Sequence, residues 1–368
     1  MKILSKKLPI LGLGGLLLSL FSCQSDDTDF SAYTDNPVNT IHITYSGNTA
    51  TVTGDNKNYV TVNGADVVVN TGSHTDSLLL ILSGSTSDGS LLIYREKKYG
   101  IQLNGVTIHN ADGPAINNQC GKSLYMEVAA GTTNTLTDGT TYAEQSYDQK
   151  GALFSEGQIV FSGHGELSVI AVGRGGIRSD DYIRIRPGVK IYVNSSALDG
   201  LRANDGIIVD GGVLNIETTG AGAKGVRCGG VMTVNGGRMI AMCAGDSRTE
   251  LEDDGMTDTT ACAALYCDSL LTVNGGVLKF KATGDGGKGV NGKWNVDIRG
   301  GSFFAVATGT REVKKPKGVK LDGSLNISGG YFYSYSKRSD PVETGGMLNV
   351  APGYTTYSHG PKVVTIAF

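Results

Sequence analysis

Zinc and thiol-redox centres lack their usual ligand spacing in this chain. There are five histidines, His42, His74, His109, His164 and His359, and six cysteines. None of the histidines stands at ligand spacing from a cysteine or another histidine, and no CxxC pair occurs, so nothing suggests a zinc centre or a thioredoxin-type motif. Apart from Cys23, the cysteines are Cys120, Cys228, Cys243, Cys262 and Cys267, an odd set at irregular spacing. That makes a poor disulfide framework and reads as buried or turn thiols. Positive charge is also short. Lys and Arg number 32 against 35 Asp and Glu, and three of the lysines fall in Met1 to Ser22, so the rest of the chain is more acidic than the overall −3. This argues against nucleic acid as a partner.

What the chain has instead is glycine, 54 residues in 368, and a repeat. The clearest statement runs from Gly200 through Leu201, a short strand, the corner Gly211-Gly212 and a second strand to Ile216. Counterparts open at Gly151, Gly176, Gly225, Ala264, Gly289 and Gly318, with insertions at Cys243 to Ala261 and near Lys314. A beat of roughly two dozen residues marks a solenoid. Its runs are short, alternate with period two, and are bounded by Gly, Asn or Asp, so they are strands. Doublets at Gly211, Gly236, Gly275, Gly300 and Gly329 recur at one place in the repeat, where a corner needs positive φ.

Three strands and three corners per repeat predict an all-β fold, a three-sided right-handed parallel β-helix with coils of about 24–25 residues and a cap at each end. The expected organisation is residues 1–22 as a signal peptide, 23–40 as an acidic tether and 41–368 as one β-helical domain including its C-terminal cap. Lys2, Lys6 and Lys7 precede the apolar run Leu8 to Phe21, which is too short for a stable membrane span. The run ends at Ser22-Cys23, which resembles a bacterial lipobox and predicts lipidation at Cys23. Asp26, Asp27 and Asp29 follow in a polar leader that resembles the acidic tag of surface-exposed lipoproteins, so an outer-membrane lipoprotein facing outwards is expected. Ile101 to Ile108 reads as strand, Asn-Gly turn, strand, and the acidic insertion Asp246 to Asp258 as a solvated loop.

An ordered set of phrases carries a family resemblance: Ile101-Gln102-Leu103-Asn104-Gly105-Val106, Gly113-Pro114-Ala115-Ile116, Asn134 to Gly139, Lys150 to Gly157 and Gly176 to Ile183. Together they resemble the bacterial carbohydrate-binding domain family, over about Val60 to Tyr335. The resemblance implies a calcium-binding, pectate-lyase-like right-handed β-helix that binds polysaccharide, preferentially acidic or plant-wall glycan. The family often writes Gly-Asp-Gly at a coil junction. Here Gly284-Asp285-Gly286 keeps it and Gly220-Ala221-Gly222 does not.

Coils aligned on their corners place Glu156, Asp180, Asn204, Gly229, Asp268, Lys293 and Asp322 in one column and Asp181 and Asp205 in the next. Like charges at strand spacing need compensation. Either a hard cation such as Ca²⁺ sits among Asp180, Asp181, Asn204 and Asp205, or these acids cap corner amides and pair with arginines. The resemblance favours calcium. Two positions earlier, Arg178, Arg202 and Arg227 form an outward column, and this charged strip reads either as a solvated, internally paired face or as a groove for uronate carboxylates. Lys150, Lys224, Lys288 and Lys317 recur just before the repeat's opening. Towards the C-terminus Phe304, Tyr333 and Tyr335 fall on an outward track, and Tyr333 and Tyr335 are candidate platforms for neutral sugar rings unless the segment Asp340 to Phe368 covers them.

A non-catalytic polysaccharide-binding module is therefore the first expectation, with no catalytic residue assigned. A polysaccharide lyase using Arg202 beside Asp205 is the second. A structural adhesin is the third.

Overall fold

The structure, a computed structural model, describes residue 30 and residues 39–251, 256–352, 355–358 and 363–367. The predicted signal segment, Cys23 and the acidic leader other than Phe30 lie outside the described residues. Among the described residues no helix occurs. The chain winds into a right-handed parallel β-helix of about 11 turns.

One coil shows the pattern. Gly175–Ser179, Tyr182–Ile185 and Lys190–Ser195 form its three strands, and Leu201–Ala203, Gly206–Val209 and Val213–Thr218 form the next coil. They stack in parallel register, Ile177 on Leu201, Ile183 on Ile207 and Ile191 on Leu214. We number the faces 1 to 3 in that order. Face 1 is a 12-stranded sheet; faces 2 and 3 join into a 23-stranded sheet. The join is made by the long strand Tyr99–His109, which pairs with Leu124–Val128 through its first half and Thr133–Thr137 through its second.

Period-two alternation turns every second side chain inward, and one core runs the length of the helix. On face 3 it contains an aromatic ladder, Phe280, Phe303 and Phe332, with centroids 5.5 and 5.8 Å apart. The second glycine of each predicted doublet, from Gly212 to Gly330, has φ between 78° and 91°. Stacking adds a second reason for glycine: a Cβ on Gly276 would stand 2.8 Å from the Gly237 carbonyl oxygen of the coil below.

Both ends are capped by antiparallel pairing, which hides strand edges that a parallel solenoid leaves open. Asn39–Ser46 pairs with Thr49–Thr53, Val60–Asn63 with Asp66–Gly72, and Val363–Ala367 with Tyr331–Ser336.

Two local expectations are corrected. Asn104-Gly105 is no hairpin turn: Tyr99–His109 is one strand with a bulge, where the amides of Gly105 and Val106 both donate to Asn134 Oδ1 at 2.9 Å. Gly151 pairs with Gly175 rather than Gly176, so Lys150 lies one position outside the column of Lys224, Lys288 and Lys317. Phe30 of the leader is buried against the outward side of Leu79, Tyr125 and Val160.

The Phe ladder generates a prediction. Phe303→Ala leaves a cavity between two rings, and denaturant unfolding should register a loss of about 3–5 kcal/mol. A loss below about 1 kcal/mol would mean that the ladder contributes little.

Candidate functional site

The arginine column forms as expected. Arg178, Arg202 and Arg227 are register partners on face 1, outward and half-buried, while Ile177, Leu201 and Val226 are buried inward. Asp199 lies 3.9 Å from Arg202 and 3.7 Å from Arg227, and Asp180 lies 3.9 Å from Arg178. These are loose pairs, and the buried Nε of Arg178 has no hydrogen-bond partner. Burial pushes Arg178 and Arg202 below the usual guanidinium range, and for Arg202 the two flanking guanidiniums add to it.

The register carries this column further than the arginines. Arg227 is followed on successive coils by Tyr266, Asn291, Lys320 and Glu343. Here face 1 becomes a groove of about 570 Å³, in which eight of the fifteen lining residues are Lys or Arg and two are acidic. The two insertions wall it. The Asp246 to Asp258 segment is not simply a solvated loop: Arg248–Leu251 pairs antiparallel with Thr257–Thr260, and Asp258 to Ala261 line the groove. The second insertion contributes Lys314 and Lys315, and is pinned by Asp285. The Asp285 carboxylate accepts from Thr310 Oγ1, the Glu312 amide and the Val313 amide at 2.7–2.8 Å. Burial opposes its charge, but these donors outweigh that and hold it below the usual carboxylate range. This is what the Gly-Asp-Gly junction does here.

At the centre stands Tyr266, with the Arg227 guanidinium 5.4 Å and Lys224 Nζ 5.8 Å from its ring. Its hydroxyl donates to Asp268 at 2.6 Å. Lys224, Lys288 and Lys317 occupy one column and are buried. Lys224 Nζ donates to the carbonyls of Gly222 and Ala261, and Lys288 Nζ to those of Gly286 and Lys315, each at 2.5–2.7 Å. Lys317 instead meets Asp340 and Glu343. Carbonyl dipoles only partly replace lost water. Burial, with Lys314 nearby, pushes Lys288 down to about 8, and burial also lowers Lys224. Sequence reasoning stopped the column at Arg227; extending the same register would have reached Tyr266 and Lys320.

The four residues expected to hold calcium are neighbours in register, and the carboxylates of Asp180 and Asp181 already have hydrogen-bond donors. Asp180 bonds Lys150 Nζ and accepts from Asn204 Nδ2 at 3.0 Å, and Lys150 also pairs with Asp148. The oxygens of Asp148, Glu156 and Asp180 lie within 4.8 Å of one another around this ammonium. Asp181 accepts from its own neighbour Tyr182 at 2.8 Å. Burial raises the Asp181 carboxyl, and Asp205 on the next coil raises it further. The donor set is thus all hard oxygen with a carboxylate repulsion left over at Asp181, which fits Ca²⁺. The Lys150 ammonium already serves the Asp180 side.

Tyr333 and Tyr335 are far from this in the coil, on face 3. Phe304 stands 5.3 Å from Tyr331 and 6.2 Å from Tyr333, with Lys279 Nζ 5.6 Å from its ring. The strand Val363–Ala367 pairs edge-on with the Tyr331–Ser336 backbone, so it extends the sheet at these residues. The structure therefore does not bring the arginine and tyrosine candidates together.

The described residues thus form a parallel β-helix with a walled cationic groove on one face. The profile of the carbohydrate-binding domain-containing protein family matches residues 63–362, and the chain belongs to that family. A carbohydrate-binding domain-containing protein of Acetivibrio thermocellus is 31% identical over 111 residues, 29% of this chain and 39% of that protein, so the match spans well under half of the relative's length. The solved structure of a polysaccharide lyase-like protein from C. thermocellum, a gadolinium derivative, aligns with TM-score 0.49 at 20% identity over 85% of this chain and 98% of that one.

Lys288 yields a pH prediction. Its proton is bound less tightly in the fold, at about 8, than at the ordinary 10.5. The buried charge therefore costs stability below about pH 8, and the cost fades as pH rises from about 8 to 10.5, where the unfolded chain binds the extra proton. Urea unfolding from pH 7 to 10 should show wild-type stability rising relative to Lys288→Met by about 2 kcal/mol. Parallel curves would refute the assignment.

Proposed function

We propose that the protein is a surface lipoprotein that binds acidic polysaccharide in the face 1 groove. The observation that carries this reading is the groove itself: eight basic residues around one tyrosine ring on an otherwise acidic chain. Guanidinium and ammonium groups pair with uronate carboxylates, and the Tyr266 ring offers flat apolar area to the C–H face of a sugar. Arg178 and Arg202 extend the cationic strip along the helix axis.

Titration with polygalacturonate and with a neutral glucan tests it. Arg227→Ala and Tyr266→Ala should each weaken the acidic polymer at least about tenfold. Wild-type affinity should also fall as pH passes about 8 and Lys288 loses its charge. Unchanged affinity in both folded variants would sink the groove reading. Tyr333 and Tyr335 would contact neutral rings on face 3, and Tyr333→Ala should then weaken the neutral glucan alone.

A lyase activity is the second reading, favoured by one observation. Lys288, lowered to about 8 and lining the groove, is a better proton acceptor than the expected Arg202. Ultraviolet absorbance from unsaturated uronate products decides it, and its absence leaves binding alone.

Calcium would be held by Asp181 and Asp205, with Asp180 and Asn204 beside them, and would supply charge compensation between coils. Chelation should lower the melting temperature. An unchanged melting curve would assign the compensation to Lys150 and the corner amides. The membrane anchor rests on the Ser22-Cys23 junction, and palmitate labelling that survives Cys23→Ala would refute it.

A further inference from the structure

The irregular spacing of the cysteines conceals a pairing in space. All five described cysteines are buried thiols. Cys243 ends the strand Arg238–Cys243 on face 3, and Cys262 immediately precedes Ala263–Cys267 on face 1, so the two flank the root of the insertion 244–261. On the next coil the equivalent positions are Ala282 and Gly287, given the pairing of Cys243 with Ala282 and of Ala263 with Lys288. There a Cβ on Gly287 would stand only 2.9 Å from the Ala282 Cβ. The corner thus sets these two positions face to face. A disulfide uses Cβ atoms about 3.5–4.5 Å apart, so two cysteines at such a corner reach bridging distance once their Cβ atoms relax apart by roughly half an ångström or more.

Cys228 and Cys267 are a different case. They are register partners on parallel strands, where side chains stand about 4.8 Å apart and point the same way. Both sulfurs lie on the Gly230 carbonyl, at 3.3 and 3.5 Å. Three and two coils before Cys228 in the same column, Ser155 and Ser179 do the same to Gly157, at 2.6 and 3.0 Å. These thiols do the work of serine hydroxyls.

We propose that Cys243 and Cys262 form a disulfide that locks the root of the insertion, while Cys228 and Cys267 stay thiols. In the folded chain the Cys243 thiol donates to the Ala223 carbonyl at 3.3 Å, beside the corner that Cys262 occupies. The oxidant is a disulfide of a small molecule or of a dithiol oxidase. Cys243 attacks it and expels one thiol, and Cys262 then displaces the second. The pair loses two electrons and two protons, and the oxidant is reduced to two thiols. Both residues are fully buried, so exchange occurs before the coil closes, during folding. The bond would fix Ala261, whose carbonyl holds Lys224 Nζ at the groove wall.

The test refolds the full chain in glutathione redox buffer and digests it without reduction, using trypsin followed by chymotrypsin. The expected product joins Met239–Arg248 to the fragment holding Cys262, with Cys120, Cys228 and Cys267 alkylated after denaturation. Reduction should lower the melting temperature by roughly 5 °C, a shift lost in the Cys243→Ser, Cys262→Ser double variant. Free Cys243 and Cys262 in the oxidised, denatured sample, or a bridge at Cys228–Cys267 instead, would overturn the proposal. The bond map is read on the wild-type chain and so stands whether or not the double variant folds, and whether or not the groove binds glycan.

Discussion

Everything in this molecule depends on the hydrogen-bonded ladder that stacks each coil on the last at strand spacing, about 4.8 Å. At that distance a residue is always above and below its equivalents, so each position along the coil becomes a column with its own chemistry. A column of phenylalanines becomes the ring ladder Phe280, Phe303 and Phe332. A column of corner glycines is enforced twice, by positive φ and by the carbonyl of the coil below. A column of small polar residues, Ser155, Ser179, Cys228 and Cys267, bonds the carbonyls that the corners leave over.

The same ladder makes charge difficult, because like charges in a column cannot separate. The chain answers by alternation and by borrowing. Asn204 follows Asp180 and donates to it. Asp199 sits between two arginines. Lys224 and Lys288 turn their ammonium groups onto backbone carbonyls. None of these arrangements fully replaces water, and the residual cost appears as lowered lysines and a raised Asp181. Perturbed groups of this kind concentrate where function does.

A regular solenoid offers flat faces, which suit long ligands but do not enclose them. Enclosure here comes from the two breaks in the repeat. The insertions after Cys243 and near Lys314 rise beside face 1 and turn the continuation of the arginine column into a groove. Asp285 ties the second insertion to its coil through three donors, and the facing pair Cys243 and Cys262 marks the root of the first. The repeat therefore supplies the platform, and the irregularities supply the site.

The sequence by itself determined the repeat, the strand class, the corners and the inward and outward tracks, because these are local: period-two alternation and glycine corners need no partner to be recognised. It also determined the Arg178, Arg202 and Arg227 column, since register in a stacked coil follows from counting. Tertiary structure decided what counting could not reach. Gly151 shifted by one residue because pairing, not spelling, sets register. Asn104-Gly105 became a bulge because Asn134, on the next coil, takes both amides. The lysines at 224, 288 and 317 look like a solvated face in the sequence but are buried, because Ala261 and Lys315 of the insertions close over the first two and Asp340 and Glu343 over the third. Cys243 and Cys262 are nineteen positions apart in the sequence and face each other across one corner, since the hairpin between them leaves the coil and returns to it. Each of these outcomes depends on segments that meet only when one coil is laid on another.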